Sequence, residues 1–297
     1  MKTLDIKIKK ETKWSIGIYK GRSPFAFSHE GVQNPVLTAR NVEDISADFV
    51  ADPFMVYEKN IWYMFFEVMN IETKNGVIGL ATSTDGLKWK YEKIVLEEPF
   101  HLSYPYVFKW QEEYYMIPET TAVNSVRLYK SIRFPMEWSF VKTLLDNDVY
   151  HDPSIFYYAD KWWLFAAVRT NGNLCLYYAD ALTGPWHEHP KNPIVSENPH
   201  IARPGGRVLV LNDQLIRYAQ DDKPTYGNQV HAFQIIKLAT TDYEEKTINE
   251  NPMLKPSGSG WNKIGMHTID PHKINEDLWI ACVDGRGNND LETNSNN

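Results

Sequence analysis

Asp52, Tyr104, Asp152, Arg203 and Asp270 each stand directly before a proline, at Pro53, Pro105, Pro153, Pro204 and Pro271, and ahead of an apolar run. The intervals between them are 52, 48, 51 and 67 residues. If a repeating fold brings these positions to one axis, carboxylates and a guanidinium share one small space. Like charges held close raise one another's pKa, so such a set is costly unless it is used. Glycosidic cleavage uses it: one carboxylic acid protonates the leaving oxygen while a second carboxylate activates water or attacks carbon. Carboxyl separations of about 6.5–9.5 Å go with inversion and about 5–5.5 Å with retention. The structural alternative is that Asp-Pro is a common turn dipeptide whose carboxylate accepts nearby backbone N–H bonds. The matching positions of Asp52 and Asp152 in the first and third units favour the chemical reading.

The elements that must position these residues repeat with them. Each proline-led run is followed by a turn (EKN, QEE, ADK, LNDQ, NED) and a second apolar run: IWYMFFE, EYYMIPE, KWWLFAA, QLIRYAQ and DLWIACV. Short β-rich runs separated by Asn/Asp-type turns read as hairpins. A third run follows in four units, as GVIGLATST, SVRLYKS, NLCLYYA and QVHAFQIIKL. About four strands in roughly 50 residues is the size of one propeller blade. A lone blade cannot cover both its faces, whereas a ring of stacked blades can. The expected fold is therefore all-β, a five-bladed β-propeller forming one domain over 1–290, with blades starting near 45, 100, 148, 199 and 264, and a polar, disordered or truncated tail at 291–297. The last unit lacks an outer strand, and WSIGIYKG (14–21) is expected to complete it and close the ring. A β-sandwich is the rival, but it predicts no five spaced proline dipeptides.

Bulk properties narrow the function classes. Net charge is −7, and the Lys-rich stretch at Lys7, Lys9 and Lys10 alternates with Ile as on a solvated strand. Nucleic-acid binders carry clustered basic faces, so that class is not expected. There is no apolar run of membrane-spanning length. The start lacks a signal-peptide core, and the two cysteines, Cys175 and Cys282, imply no disulfide framework. A cytoplasmic setting is expected. Aromatics make up 13% of the chain; most belong in strand packing, and some can stack on sugar rings. No GxSxG, GxxxxGK[ST], HExxH or CxxC motif is present.

The first-unit ADPF and third-unit HDP segments resemble the blade-one and blade-three aspartates of the five-bladed glycoside hydrolases of families 43, 62, 32 and 68. That resemblance implies Asp52 as base or nucleophile and Asp152 as the residue that orients the acid or tunes its pKa. A longer resemblance covers nearly the whole chain. WSIGIYKGRSPF, NPVLTARNVEDISADFVADPFMV, YPYVFKWQEEYYMIPET, DPSIF, WWLFA, ARPGGRV, RYAQD with YG, and GMHTID occur in this order. The series is similar to the propeller domain at the N-terminus of plant glucosamine inositolphosphorylceramide transferases and in bacterial sugar-gene neighbours, sometimes fused to formyltransferases. It specifies a family more than a reaction.

One departure bears on the mechanism. The hydrolases draw their general acid, a Glu, from the fourth blade, where RYAQD here offers Gln220 and Asp221. The substitute is Glu119 in IPET, and Glu67, ending the equivalent run of the first unit, is a second candidate. Either needs burial beside other carboxylates to hold a proton at neutral pH; the structural alternative for Glu119 is bonding to turn amides. Arg203 and Arg207 flank Gly205 and Gly206, where the backbone can approach a ligand closely. Arg203 either clamps an anionic group of a substrate or pairs with Asp152. Tyr104, His151, Arg217, Gln220, Asp221 and Asp270 complete the expected substrate-binding set. His267 corresponds to a fifth-blade histidine that lies near a metal ion in family 43. With Asp270 it could hold a divalent cation or be a structural histidine; no other cofactor is expected. The acidic set Asp52, Glu119 and Asp152 implies a glycosidase acting on a glycan or glycoconjugate. The alternatives are a noncatalytic sugar-binding domain partnering a glycosyltransferase or sugar-modifying enzyme, and a transglycosylase.

Overall fold

The computed structural model describes residues 12–211 and 214–288; the lysine-rich start and the 291–297 tail lie outside the described residues. Twenty strands form five four-stranded antiparallel sheets. The chain opens with β1 (Lys13–Ser23) and β2 (Ala26–Ser28). Blade one is β3 (Ala47–Glu58), β4 (Ile61–Asn70), β5 (Gly76–Ser83) and β6 (Lys90–Leu96). Blade two is β7 (Ser103–Trp110), β8 (Glu113–Glu119), β9 (Ser125–Arg133) and β10 (Glu137–Asp146). Blade three is β11 (Tyr150–Tyr158), β12 (Lys161–Val168), β13 (Leu174–Ala179) and the two-residue β14 (His187–Glu188). Blade four is β15 (Leu209–Leu211), β16 (Gln214–Asp221), β17 (Gln229–Ala239) and β18 (Asp242–Thr247). The fifth sheet begins with β19 (Ile269–Asn275) and β20 (Leu278–Gly287) and takes β1 and β2 as its outer strands.

The N-terminal strand thus closes the ring, pairing Trp14 with Arg286 through to Gly21 with Trp279. Apolar clusters fill the spaces between blades: one spans blades one to three, and others join blade five to one, four to five, and three to four. Because neighbours cover both faces, second strands such as KWWLFAAV are buried almost without alternation. Among the described residues, helical structure is limited to short 3-10 turns, and no helix is long and apolar enough to cross a membrane.

The proline dipeptides do a specific job in the innermost strands. Asp52, Tyr104 and Asp152 adopt φ of 52°, 45° and 48°, a sparsely populated region for residues with a Cβ. Strand register slips at each of them, between Ala51 and Phe54, Ser103 and Tyr106, and His151 and Ser154. Each is a β-bulge, where a proline without an N–H leaves no ladder bond unmade. In these three blades the bulge re-aims one side chain each, whereas Arg203 and Pro204 precede the innermost strand of blade four. Asp270 lies instead in regular pairing with Cys282, so the fifth dipeptide is not a bulge of this kind. Tyr104 spans the ring: its hydroxyl accepts from the Gly206 N–H at 2.7 Å and lies 2.9 Å from Ser154 Oγ. Gly206 has φ 149°, and a Cβ there would sit 1.8 Å from the Ile269 carbonyl oxygen, so only glycine fits between blades four and five.

Candidate functional site

Five acids from four blades meet at the hub: Asp52 and Glu67 from blade one, Glu119 from two, Asp152 from three and Asp284 from five. All are buried. Glu67, Glu119 and Asp284 end or nearly end the second strands of their blades. Two cations divide the group. Arg203 Nε donates to Asp152 Oδ2 at 2.7 Å, and its Nη2 lies 3.6 Å from Glu119 Oε2. His267 Nδ1 lies 2.6 Å from Asp284 Oδ2, and its Nε2 lies 3.7 Å from Asp52 Oδ1. Backbone groups tie the sets together. The Asp152 N–H donates to Glu119, the Asp52 N–H to Asp284, and the Tyr104 N–H to Asp52. Thr268 Oγ1 donates to Asp52 Oδ1 at 2.8 Å.

Protonation is unevenly shared. Burial and the charges of Asp52, Glu119, Asp152 and Asp284 push the Glu67 carboxyl well above the usual range. Burial also raises Glu119, but the His151 hydrogen bond and the Arg203 charge outweigh it and hold this carboxyl well below that range. Of the two candidate acids, the surroundings thus favour the protonated form at Glu67 and the charged form at Glu119. Burial raises Asp52 against the charge of His267, and raises Asp152 against the pull of Arg203. His101 Nδ1 accepts from the Gly76 N–H at 2.8 Å, which leaves its Nε2 as the N–H side, 3.4 Å from Glu67 Oε1. Burial lowers the His101 pKa, so a neutral imidazole faces Glu67. Gly76 permits the approach, since a Cβ there would meet Glu67 Oε1 at 2.8 Å.

The acid partner of His267 is Asp284, and the expected pairing with Asp270 is corrected. Asp52, His267 and Asp284 place ligand atoms within 4.8 Å of one another, which raises the question of a divalent cation. The donor set answers it poorly. Asp284 already receives four donors: the N–H groups of Asp52, His267 and Thr268, and His267 Nδ1. A carboxylate has about four lone-pair positions, so none is left for a metal. Burial lowers the His267 pKa, but the charges of Asp284 and Asp52 outweigh it and raise it to about 9. The ring also stacks on Trp14, centroids 4.0 Å apart and planes at 12°, a contact that favours a cation. The two flanking acids thus favour a protonated ring at this position.

Other expected residues divide into wall and scaffold. His151, with 19% of its side chain exposed, lies 3.5 Å from Glu119 and forms wall. Gln220 stands behind Asp152, donating to it and to the Pro204 carbonyl. Asp221 bonds His200, His231 and Gln229 as a separate cluster. Tyr104 is fully buried as the spanning side chain described above. Arg217 does not reach the hub: it is buried and holds Glu245 through two nitrogens and the Ile201 carbonyl through a third. Nor does Asp270, which is buried and accepts from Arg207, His272 and the Met55 N–H. Arg207 is thereby occupied in scaffold.

Three hub residues were not singled out in the sequence. Asp284 directly follows DLWIACV, and extending that run by one residue would have aligned it with Glu67 and Glu119. His101 precedes the second unit with no pattern to mark it. Tyr226, in the YG of the long resemblance, is a partly exposed residue at the edge of the hub. Arg203 lies 5.1 Å over its ring, and His267 meets it edge-on at 5.4 Å. It is an aromatic surface beside the acids, suited to the apolar face of a sugar.

Comparison with known proteins agrees with this architecture. The family model described as "Glucosamine inositolphosphorylceramide transferase 1, N-terminal" matches residues 6–286. The glucosamine inositolphosphorylceramide transferase 1 of Oryza sativa subsp. japonica is 36% identical over 299 residues, covering 93% of this chain and 40% of that protein. The chain thus spans about 40% of the length of the curated relatives it matches. Among solved structures, a glycosyl hydrolase from Bacteroides ovatus superposes with a TM-score of 0.60 at 13% identity, over 85% of this chain and 92% of that one. A thermostable family-43 glycoside hydrolase gives 0.52 at 15% identity, over 70% and 78%. With a glycoside hydrolase-like five-bladed propeller and a family match over almost its whole length, the chain belongs to the family of N-terminal domains of glucosamine inositolphosphorylceramide transferase 1.

Proposed function

We propose that the hub acts on a glycosidic bond of a glycan or glycoconjugate, with Glu67 as general acid and Asp52 as base or nucleophile. The observation that carries this reading is a pair of buried carboxyls of one blade in unlike surroundings, Glu67 beside a His101 nitrogen and Asp52 beside His267 and Thr268. Burial raises both, Glu67 well above the usual range, while at Asp52 the His267 charge and two hydrogen-bond donors work against the rise. Paired carboxyls with separated pKa values are the signature of acid and base roles. Glu67 gives its proton to the leaving oxygen; Asp52 takes a proton from the attacking water or bonds to the anomeric carbon. Asp152, Glu119 and Arg203 set the field around the pair. Transfer to an acceptor other than water uses the same groups, and the name of the relatives suggests a glycosylated inositolphosphorylceramide as the class of glycoconjugate.

A noncatalytic sugar-binding role is the second reading. It is favoured by the inward hydrogen bonding of Asp52, both of whose oxygens already accept protein donors. Incubation with a panel of aryl furanosides and pyranosides separates the two. Turnover that falls by about 10²–10⁴-fold in both Asp52→Asn and Glu67→Gln supports catalysis, the range typical of general acid–base groups. Sugar binding without turnover, unchanged by Glu67→Gln, assigns a binding module.

A further inference from the structure

Blade three carries a second polar cavity, apart from the hub. It holds about 270 Å³ and is walled by residues of β11, β13 and β14 and of the turn after β12. That turn divides it from the hub: Asn171 accepts from Arg203 Nη1 at 3.0 Å on the hub side, while Arg169 and Asn173 line the cavity. Three wall residues, Tyr150, Cys175 and Tyr177, are more than nine-tenths buried. Tyr150 donates its hydroxyl to the Asp146 carbonyl. The Tyr177 hydroxyl sits beside the Cys175 thiol and bonds no nitrogen or oxygen among the described residues. The sealed side-chain nitrogen and oxygen atoms without a partner there are Gln220 Oε1 and Asp222 Oδ2 alone, so the Tyr177 hydroxyl opens into the cavity. Burial pushes its pKa up, and it keeps its proton as a donor. Burial also pushes the thiol up to about 11, which leaves it inert at neutral pH.

We propose that this cavity binds one neutral sugar unit, with the Tyr177 hydroxyl donating to one ring hydroxyl and Glu188 accepting from its neighbour. The charges of the wall favour a neutral ligand. Arg169 is held by Asp148 through two nitrogens, at 3.0 and 2.7 Å, and Glu188 has only a long contact from Asn192 Nδ2 at 3.5 Å. An entering anion would meet the Glu188 charge beside a cation that is already engaged. A sugar hydroxyl both donates and accepts, so vicinal hydroxyls match a donor and an acceptor set side by side. The rings of Tyr150 and Tyr177, edge to face with centroids 6.1 Å apart, supply apolar wall. The volume falls just below the range of about 300–1,000 Å³ for drug-sized ligands, which suits a single ring. The site binds in its own right and does not depend on cleavage at the hub.

The test is amide NMR titration of the full chain with the methyl glycosides of glucose, galactose, mannose, xylose and arabinose, and with methyl glucuronide as the anionic control. The signals followed are those of Cys175, Tyr177 and Glu188 in blade three and of Asp52 and Thr268 in the hub. At least one neutral glycoside is expected to shift the blade-three signals with a Kd of about 1–10 mM, and the glucuronide to bind about tenfold or more weakly. Tyr177→Phe removes a hydroxyl that the fold does not use, and should weaken the neutral sugar about three- to tenfold. Glu188→Gln, at an exposed position, should narrow the margin against the glucuronide. Absence of any blade-three shift, equal binding of the glucuronide, or unchanged affinity in Tyr177→Phe overturns the proposal. Shifts confined to the hub overturn it too, while leaving the reading of the hub as a glycan site in place.

Discussion

Replacing His267 with glutamine probes the charge arrangement of the hub directly. In the folded protein the imidazole is 3% exposed, and Asp284 and Asp52 raise its pKa from 6.5 to about 9. At about 1.36 kcal/mol per unit, that difference corresponds to about 3 kcal/mol favouring the protonated folded state. Because the folded pKa is the higher one, this stabilisation is fully present below 6.5, declines as pH climbs, and is gone above the folded value of about 9. Glutamine can fill much of the space and donate a hydrogen bond to Asp284, but it carries no charge. Denaturant unfolding of both proteins at about pH 6, 8 and 10 should show the advantage of the unaltered protein shrinking by about 3 kcal/mol across the series. Glu67 also loses its proton with rising pH in both proteins, so the difference between the curves carries the test. Histidine NMR should place the His267 titration above pH 8 by about one unit. A stability difference that stays flat with pH, or an imidazole that titrates at or below its ordinary value, refutes the reasoning.

Two further outcomes test the division between hub and scaffold. Arg217→Met removes the partner of Glu245 and should cost about 3–5 kcal/mol in denaturant unfolding, as breaking a buried ion pair does. Sugar affinity per folded molecule should be unchanged; a loss of affinity at unchanged stability would bring Arg217 back to the site. Gly206→Ala drives a Cβ into the Ile269 carbonyl and should lower the melting temperature sharply or prevent folding. An alanine variant as stable as the parent would show that blades four and five are not pressed together at this point.

The sequence by itself determined the repeat and hence the ring. Apolar runs, Asn/Asp turns and proline dipeptides are local signals, each legible within one unit, and their recurrence allows only a fold that covers both faces of every sheet. The closing role of 14–21 followed from one unit lacking a strand, and the equivalence of Asp52 and Asp152 from their spacing. What the charges do was decided only by tertiary structure. Glu67 and Glu119 end similar runs, yet one is pushed up by acids of other blades while the other is held down by His151 and Arg203. Asp270 and Arg217 look as eligible as Asp52 and Arg203 in the chain, but regular pairing and outward partners remove them from the hub. Asp284, His101 and Tyr226 enter it from segments far apart in sequence. Strand formation depends on neighbours a few residues away; protonation and ligand choice depend on distances of a few ångströms across the axis, which no single blade encodes.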